Sequence, residues 1–236
     1  MFGLPNSDNR CWLNCVIQIL LACELIRVIN QQDGILLENM FLDDNIHLAG
    51  GQPNCTSEAF LAFINWFSKK TTARLHEYFN TKITRSMPSG KQSDDMLCIP
   101  MDGINYQDNG SAIQSAECQV AAFHKELTNA VSKIDDTDEE AIQKIIEYNT
   151  FLALSFEYHM PSTVPLTLQP HEQVFYSLVG VVWYSGSHYI CTVKHNHNWY
   201  ICDDNCITDG CNLNYQYQQA SPREGFSARM LFYQLI

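Results

Sequence analysis

The order of the hydrophobic patterns constrains the fold of this chain more than any other feature of the sequence. Near the N-terminus, apolar residues from Trp12 to Cys23 recur at intervals of three and four, the spacing of a helix that packs on a core. Residues 57–67 (SEAFLAFINWF) repeat this spacing and predict a second helix. Further helices are predicted over residues 112–134 and 140–148, and a loop over residues 86–95.

From about residue 150 the pattern changes to short segments that are rich in aromatic and β-branched residues and are separated by turn signals. Such segments predict the strands of a largely antiparallel sheet. They cover residues 151–158, 174–184, 188–194, 199–202 and 228–235. Helices followed by strands indicate an α+β fold. A length of 236 residues suits one domain with a substantial core.

Charge and hydropathy exclude two classes of partner. With 14 Lys and Arg against 26 Asp and Glu, the formal charge is −12, which opposes binding to nucleic-acid phosphates. The longest apolar stretch, residues 15–29, contains Gln18, Glu24 and Arg27 and is too short to span a bilayer, so no membrane association is expected. Because no signal-peptide pattern is present, we expect the ten cysteines to be reduced thiols of an intracellular protein. That location would be the cytoplasm or nucleus, or the host cell if the chain comes from a pathogen.

Five polar residues predict a thiol active site. Cys11 stands where a polar loop turns into the first helix, and unpaired N–H groups at a helix start favour a thiolate. His188 begins one predicted strand and Asp203 directly follows the next, so adjacent antiparallel strands would bring their side chains together. Asn6 would offer an amide to a developing oxyanion, and Asp204 is a second carboxylate beside Asp203.

Several segments resemble ubiquitin-specific proteases, in the order in which that family has them. Residues 3–21 (GLPNSDNRCWLNCVIQILL) are similar to the family's cysteine box, Gly-Leu-x-Asn-x-Gly-Asn-Thr-Cys-Tyr-Met-Asn-Ser-x-Leu-Gln. Residues 176–208 resemble its histidine box, and residues 149–159 and 228–236 resemble neighbouring strands. The positions that match the cysteine box are Gly3, Leu4, Asn6, Asn9, Cys11, Asn14 and Gln18.

The resemblance implies a papain-like α+β fold in a single domain, with a helical thumb over about residues 1–80 and an antiparallel β palm over about residues 81–236. Paired CxxC motifs are absent, so we expect a reduced fingers region without zinc, and no cofactor. A monomer is expected. The implied catalytic residues are Cys11 as nucleophile, His188 as base, Asp203 as its orienting group, Asn6 as oxyanion donor and Asp204 as an auxiliary carboxylate. The implied substrate-binding residues are Glu58, Gly186, Ser187 and Tyr189.

The function implied is thiol-dependent hydrolysis of the isopeptide or ester bond after the C-terminal Gly-Gly of ubiquitin. Thr56 stands where the family has an aspartate that helps to hold the basic tail of ubiquitin, and Glu58 is the nearest replacement. SUMO or another ubiquitin-like modifier therefore stays open as the substrate. Asp8 and Arg10 also depart from the cysteine box, which leaves open an inactive ubiquitin-binding module.

The sequence also contains the residue types of two other kinds of site. A transglutaminase-like acyltransferase has the same Cys, His, Asp order and a Trp after its cysteine, but nothing else in the chain resembles one. A second group of potential metal ligands follows His188, but its spacing fits no usual zinc motif, so no metal is predicted there. That group comprises His195, His197, Cys202, Cys206 and Cys211.

Overall fold

The computed structural model describes residues 3, 4, 6, 11–23, 56–70, 75–87, 90–100, 142–156, 164–210 and 222–236. The helix predicted over residues 112–134 lies outside these ranges, as do Asp8, Arg10 and Cys211.

Three helices come first among the described residues: α1 (Cys11–Ala22), α2 (Thr56–Lys70) and the short α3 (His76–Phe79). The two helices predicted from the apolar spacing are therefore confirmed. Cys11 is the first residue of α1, and most of this helix is buried. No helix of the described part of the chain is long and apolar enough to cross a membrane.

The strands form two sheets, which are antiparallel apart from one short pairing. Their bounds are β1 (Thr81–Met87), β2 (Gly90–Met96), β3 (Ile99–Pro100), β4 (Ile142–Glu147), β5 (Phe151–Ser155), β6 (Thr167–His171), β7 (Val174–Ser185), β8 (His188–His195), β9 (Asn198–Asp203), β10 (Cys206–Asp209) and β11 (Ser227–Leu235). One sheet has the order β2-β1-β4. The other has the order β10-β9-β8-β7-β11-β5-β3, with β6 paired to β7 and only β3 parallel to its neighbour. The strands predicted after residue 150 are confirmed, apart from residues 157–158, which lie outside the described ranges.

Two local predictions were wrong, and both lie in the three-stranded sheet. Residues 142–147 form β4 rather than a helix, although Ile142, Ile145 and Ile146 have helical spacing. Pairing with β1, where Ile145 lies opposite Ile83, overrides that spacing, and β-branched residues suit a strand. Residues 86–87 and 90–95 belong to β1 and β2 rather than to a loop, because backbone pairing holds two polar strands together without an apolar signal in the sequence.

The larger sheet has a core on each face. On one face, Val182 of β7, Val193 of β8 and Met230 of β11 pack in the same cluster as the buried residues of α1 and α2. The opposite face has its own cluster with Val181, Ile190 and Leu231. This alternation is the two-residue period of strands that are covered on both sides. Helix α1 packs mainly on β8, which carries His188 at its first residue.

Gly180 lets α1 approach the sheet closely. A Cβ at Gly180 would lie 2.7 Å from the Ile19 side chain, well inside contact distance. The absence of a side chain at Gly180 of β7 therefore helps to place α1, and with it Cys11, against β8.

Candidate active site

The start of α1 positions the Cys11 thiol. The side chain is buried, with 6% of the residue exposed, and the backbone N–H of Tyr189 hydrogen-bonds the sulfur. Burial raises the pKa of Cys11. The N–H groups of Tyr189 and Trp12 oppose that change, whereas the charge of Asp204 adds to it. The thiolate stabilisation expected at a helix start is present, but burial outweighs it, so the predicted lowering of the thiol pKa is not found.

Adjacent strands bring His188 and Asp203 together. His188 begins β8 and Asp203 ends β9, and a two-residue turn after His195 fixes the register of these strands. The predicted contact is present, with His188 Nε2 2.7 Å from Asp203 Oδ1. On its other side, Asp203 Oδ2 accepts a hydrogen bond of 2.6 Å from Arg223 Nη1.

Two opposing effects act on the Asp203 carboxyl. Partial burial favours the neutral acid, whereas hydrogen bonds from His188 and Arg223 favour the carboxylate and together hold the pKa of Asp203 below its usual value. Asp203 is therefore a carboxylate at neutral pH, shared between an imidazole and a guanidinium.

Asp204 has different partners from its neighbour. Its Oδ2 accepts a hydrogen bond of 2.8 Å from Asn6 Nδ2, and its Oδ1 accepts one of 2.8 Å from Asn14 Nδ2. Asp204 has a φ of +50°, a conformation that non-glycine residues seldom adopt. The Leu4 N–H also donates to the Asp204 carbonyl at 3.0 Å. The turn between β9 and β10 is thus tied both to α1 and to the segment that precedes it.

Gly3 is required by the same turn. A Cβ at this position would come within 2.5 Å of the Asn205 carbonyl carbon and Cα. Only a glycine allows the N-terminal segment to lie this close to the turn that carries Asp203 and Asp204. The match of Gly3 to the cysteine box therefore has a steric reason.

The hairpin between β7 and β8 holds three of the four predicted substrate-binding residues, Gly186, Ser187 and Tyr189. Gly186 has a φ of +60° and Ser187 completes a two-residue loop, which fits a turn with glycine at its first central position. The Tyr184 hydroxyl donates to the Gly186 carbonyl at 2.5 Å, and the Tyr184 and Tyr189 rings lie 4.5 Å apart. The loop is therefore braced beside His188.

The structure brings together most of the predicted site. The His188 ring and the carboxylates of Asp203 and Asp204 each have a nitrogen or oxygen atom within 4.8 Å of the other two. Within the described ranges, the Cys11 thiol and the His188 ring are not hydrogen-bonded to each other, which is common before a substrate tightens a catalytic site. Glu58 lies in α2, and its side chain is outside the described residues.

Two residues were missed by the sequence analysis. Asn14 matched the cysteine box without being given a role, and its position three residues after Cys11, one helical turn on, was the available signal. Arg223 lies in a turn outside every matched segment, and nothing in the sequence indicated its contact with Asp203.

Comparisons with known proteins identify the family. The profile of the family described as ubiquitin carboxyl-terminal hydrolase matches residues 65–233, most of the chain, which includes His188, Asp203 and Asp204 and begins after Cys11. A search of curated protein sequences gives no significant match.

Solved structures share the fold at low sequence identity. A SAGA DUB module with Ubp8, Sgf11, Sus1 and Sgf73 bound to monoubiquitin matches with a TM-score of 0.66 and 16% identity, over 100% of this chain and 69% of the other. The same module bound to ubiquitin aldehyde gives 0.64 and 14%, over 100% and 70%. An essential yeast splicing factor gives 0.64 and 13%, over 100% and 69%. The predicted fold is confirmed, and the profile match shows that the chain belongs to the ubiquitin carboxyl-terminal hydrolase family of thiol-dependent deubiquitinases.

Proposed function

We propose that this chain releases ubiquitin from its conjugates by hydrolysing the bond after the C-terminal Gly-Gly, with Cys11 as the nucleophile. One observation carries the assignment of residues. The buried thiol that begins α1 accepts a hydrogen bond from the Tyr189 N–H, and Tyr189 directly follows the histidine that contacts Asp203. Nucleophile, base and orienting group therefore meet at one end of β8 and β9.

The proposed proton transfer runs from the Cys11 thiol to His188. His188 Nε2 contacts Asp203, so Nδ1 is the ring nitrogen left to accept the thiol proton. Because burial raises the pKa of Cys11, the group rests as a neutral thiol and gives up its proton as the sulfur attacks the substrate carbonyl. The imidazolium then protonates the leaving lysine amine, and water hydrolyses the thioester by the reverse sequence.

Asn6 is proposed to hold the oxyanion. Its amide Nδ2 donates to Asp204, and this contact would hold the amide beside the site, where we propose that it donates to the developing oxyanion. Asp204, itself fixed by Asn14, would orient that amide rather than replace Asp203 beside His188. One such donor contributes about 3 kcal/mol to transition-state stabilisation. Replacing Asn6 with Ala is therefore expected to slow the reaction without unfolding the protein.

Ubiquitin is the proposed modifier. The family is that of ubiquitin carboxyl-terminal hydrolases, and two similar solved structures hold monoubiquitin or ubiquitin aldehyde. We propose that Gly186 and Ser187 line the path of the substrate tail, and a Gly-Gly tail suits this role because it has no side chains at the two residues before the scissile bond. Glu58 would hold the basic residues of that tail.

A panel of modifiers with C-terminal electrophiles tests the proposal. Ubiquitin and several SUMO and other ubiquitin-like forms are mixed with the wild-type protein, with Cys11→Ala and with Cys206→Ala, and adducts are read by intact mass. Cys206 is an exposed thiol, so its variant is the matched control. We expect a ubiquitin adduct that is lost in Cys11→Ala and kept in Cys206→Ala. An adduct with SUMO alone would change the modifier, and no adduct with a folded protein would refute the hydrolase assignment.

A further inference from the structure

Arg223 is the strongest feature of the molecule that the proposed mechanism does not use. We propose that Arg223 is a positioning residue, which holds the Asp203 carboxylate in place and sets the pH range over which His188 and Cys11 exchange a proton. This inference rests on the proposed function, since it concerns how the same site is tuned.

The contact is geometrically specific. Arg223 Nη1 lies 2.6 Å from Asp203 Oδ2, whereas His188 Nε2 lies 2.7 Å from the other oxygen, Oδ1. Two partners on different oxygens fix the plane of the carboxylate, which one partner alone would leave free to rotate. Side-chain exposure is 23% for Asp203 and 44% for Arg223, so the contact is at the rim of the site and not in the core.

The turn that carries Arg223 is positioned by the sheet. The Phe226 N–H donates to the Arg223 carbonyl at 3.4 Å, and Gly225 has a φ of +81°. Strand β11 starts immediately afterwards, and its first residue, Ser227, pairs with Tyr184 close to the β7–β8 hairpin. The guanidinium therefore reaches the site from the turn before β11, a strand that is not adjacent to β9, which carries Asp203.

The charges around His188 give this contact its expected effect. Asp203 faces the ring from β9 and Asp204 from the following turn, Asp204 also acts on the Cys11 thiol of α1, and Glu224 is an exposed neighbour of Arg223. Arg223 is the cation that offsets the two aspartates within this set. Without it, the uncompensated carboxylates would strengthen proton binding at both the imidazole and the thiol.

The test measures how the alkylation rate of Cys11 and kcat/KM depend on pH in Arg223→Gln and Arg223→Lys. Alkylation of Cys11 by iodoacetamide is followed on its own peptide from about pH 5 to about pH 10, together with kcat/KM on a ubiquitin substrate. In Arg223→Gln we expect the midpoints of both profiles to rise by about half a pH unit, the effect of one charge about 6 Å away in a water-like medium. We also expect kcat/KM to fall about tenfold, because a charge-assisted hydrogen bond is lost.

Three controls make the outcome decisive. Arg223→Lys keeps the charge and should restore the midpoints and part of the rate, whereas Lys69→Gln removes an exposed charge from α2 and should leave the midpoints unchanged. In an Asp203→Asn background, Arg223→Gln should have little further effect if it acts through Asp203.

Unchanged midpoints in Arg223→Gln, or equal loss in the Lys variant, would overturn the role of Arg223. The alkylation rate is measured without ubiquitin or any ubiquitin-like protein. A shifted profile in a protein that forms no ubiquitin adduct would therefore contradict the proposed function and leave the inference standing.

Discussion

Replacing Asn14 by Asp tests the network that holds the candidate oxyanion donor. Asn14 is 6% exposed, and its Nδ2 donates to Asp204 Oδ1 at 2.8 Å. Aspartate has the same shape as asparagine but presents an oxygen where the N–H was. Asn14→Asp therefore exchanges an attractive contact for two carboxylates that face each other in a mostly buried position.

The cost follows from two terms. A hydrogen bond to a charged group contributes about 1.5–3 kcal/mol. Repulsion between unit charges about 4 Å apart is about 4 kcal/mol at an effective dielectric constant of about 20. The two carboxylates can relieve part of this repulsion by binding one proton between them, so the two costs do not add in full. We therefore expect the free energy of unfolding to fall by about 4 kcal/mol near pH 8, a large part of the usual stability of a domain.

The pH dependence has a definite sign. The introduced carboxyl shares a proton in the folded state, so its folded pKa lies above its unfolded value of about 4. A group with a raised folded pKa stabilises the protein below its unfolded pKa, and that contribution is lost as the pH rises through the folded value. The deficit of Asn14→Asp should therefore be small near pH 4 and reach its full size near pH 8.

Urea unfolding of the wild type, Asn14→Asp, Asn14→Ala and the double variant Asn14→Asp/Asp204→Asn measures these differences. The double variant exchanges donor and acceptor, since the new amide at position 204 can donate to the new carboxylate at position 14 and accept from Asn6. It should therefore recover most of the stability. A deficit below about 1 kcal/mol near pH 8, or no recovery in the double variant, would refute the reasoning.

Other changes probe other parts of the site. Gly3→Ala should lower kcat/KM about a hundredfold, because the added Cβ must displace the Asn205 backbone by roughly an ångström, and it should lower Tm as well. Iodoacetamide near pH 7 should label the exposed Cys206 in the folded protein but reach Cys191, whose pKa burial raises well above its usual value, only after unfolding; peptide mapping distinguishes the two. The lowered pKa of Asp203 gives stability that is present above its ordinary value of 3.8 and is lost as the pH falls through the folded value. The stability difference between the wild type and Asp203→Asn should therefore shrink in acid, and equal differences at about pH 7 and about pH 3 would contradict it.

The sequence predicted the parts of this site that depend on short-range order. Residues 188–194 and 199–202 have strand composition, and only a short turn separates them, so antiparallel pairing was the simplest arrangement. That pairing places His188 beside Asp203, and the contact is present. The start of a helix at Cys11 was predictable for the same reason, because helical spacing begins there.

Side-chain directions at the turns were not predictable. Asp203 and Asp204 are adjacent in sequence, yet one contacts His188 and the other contacts Asn6 and Asn14. What separates their roles is the positive φ at Asp204, which turns successive side chains to different partners. Composition does not predict such a dihedral angle, since Asp-Asp-Asn suits several turn types.

The wrong prediction of a helix where β4 forms has a related cause. Its isoleucines fit a helical face, and only the distant partner β1 decides that they form a strand. Local pattern is a weak guide where the element is short and its hydrogen-bonding partner lies about sixty residues earlier in the chain.

The separate origins of the two halves of the site have a consequence for folding. His188 and Asp203 belong to a hairpin and are 15 residues apart, so their contact closes a short loop, whereas Cys11 arrives on a helix from the other end of the chain. Short loops close early and long ones late, because loop-closure entropy grows with length. A chain whose sheet has formed before α1 docks therefore holds its imidazole and carboxylate in place with no thiol beside them. During refolding, protection of Cys11 from alkylation should report the docking of α1, because docking buries the thiol, and this protection should lag behind the signals of the sheet.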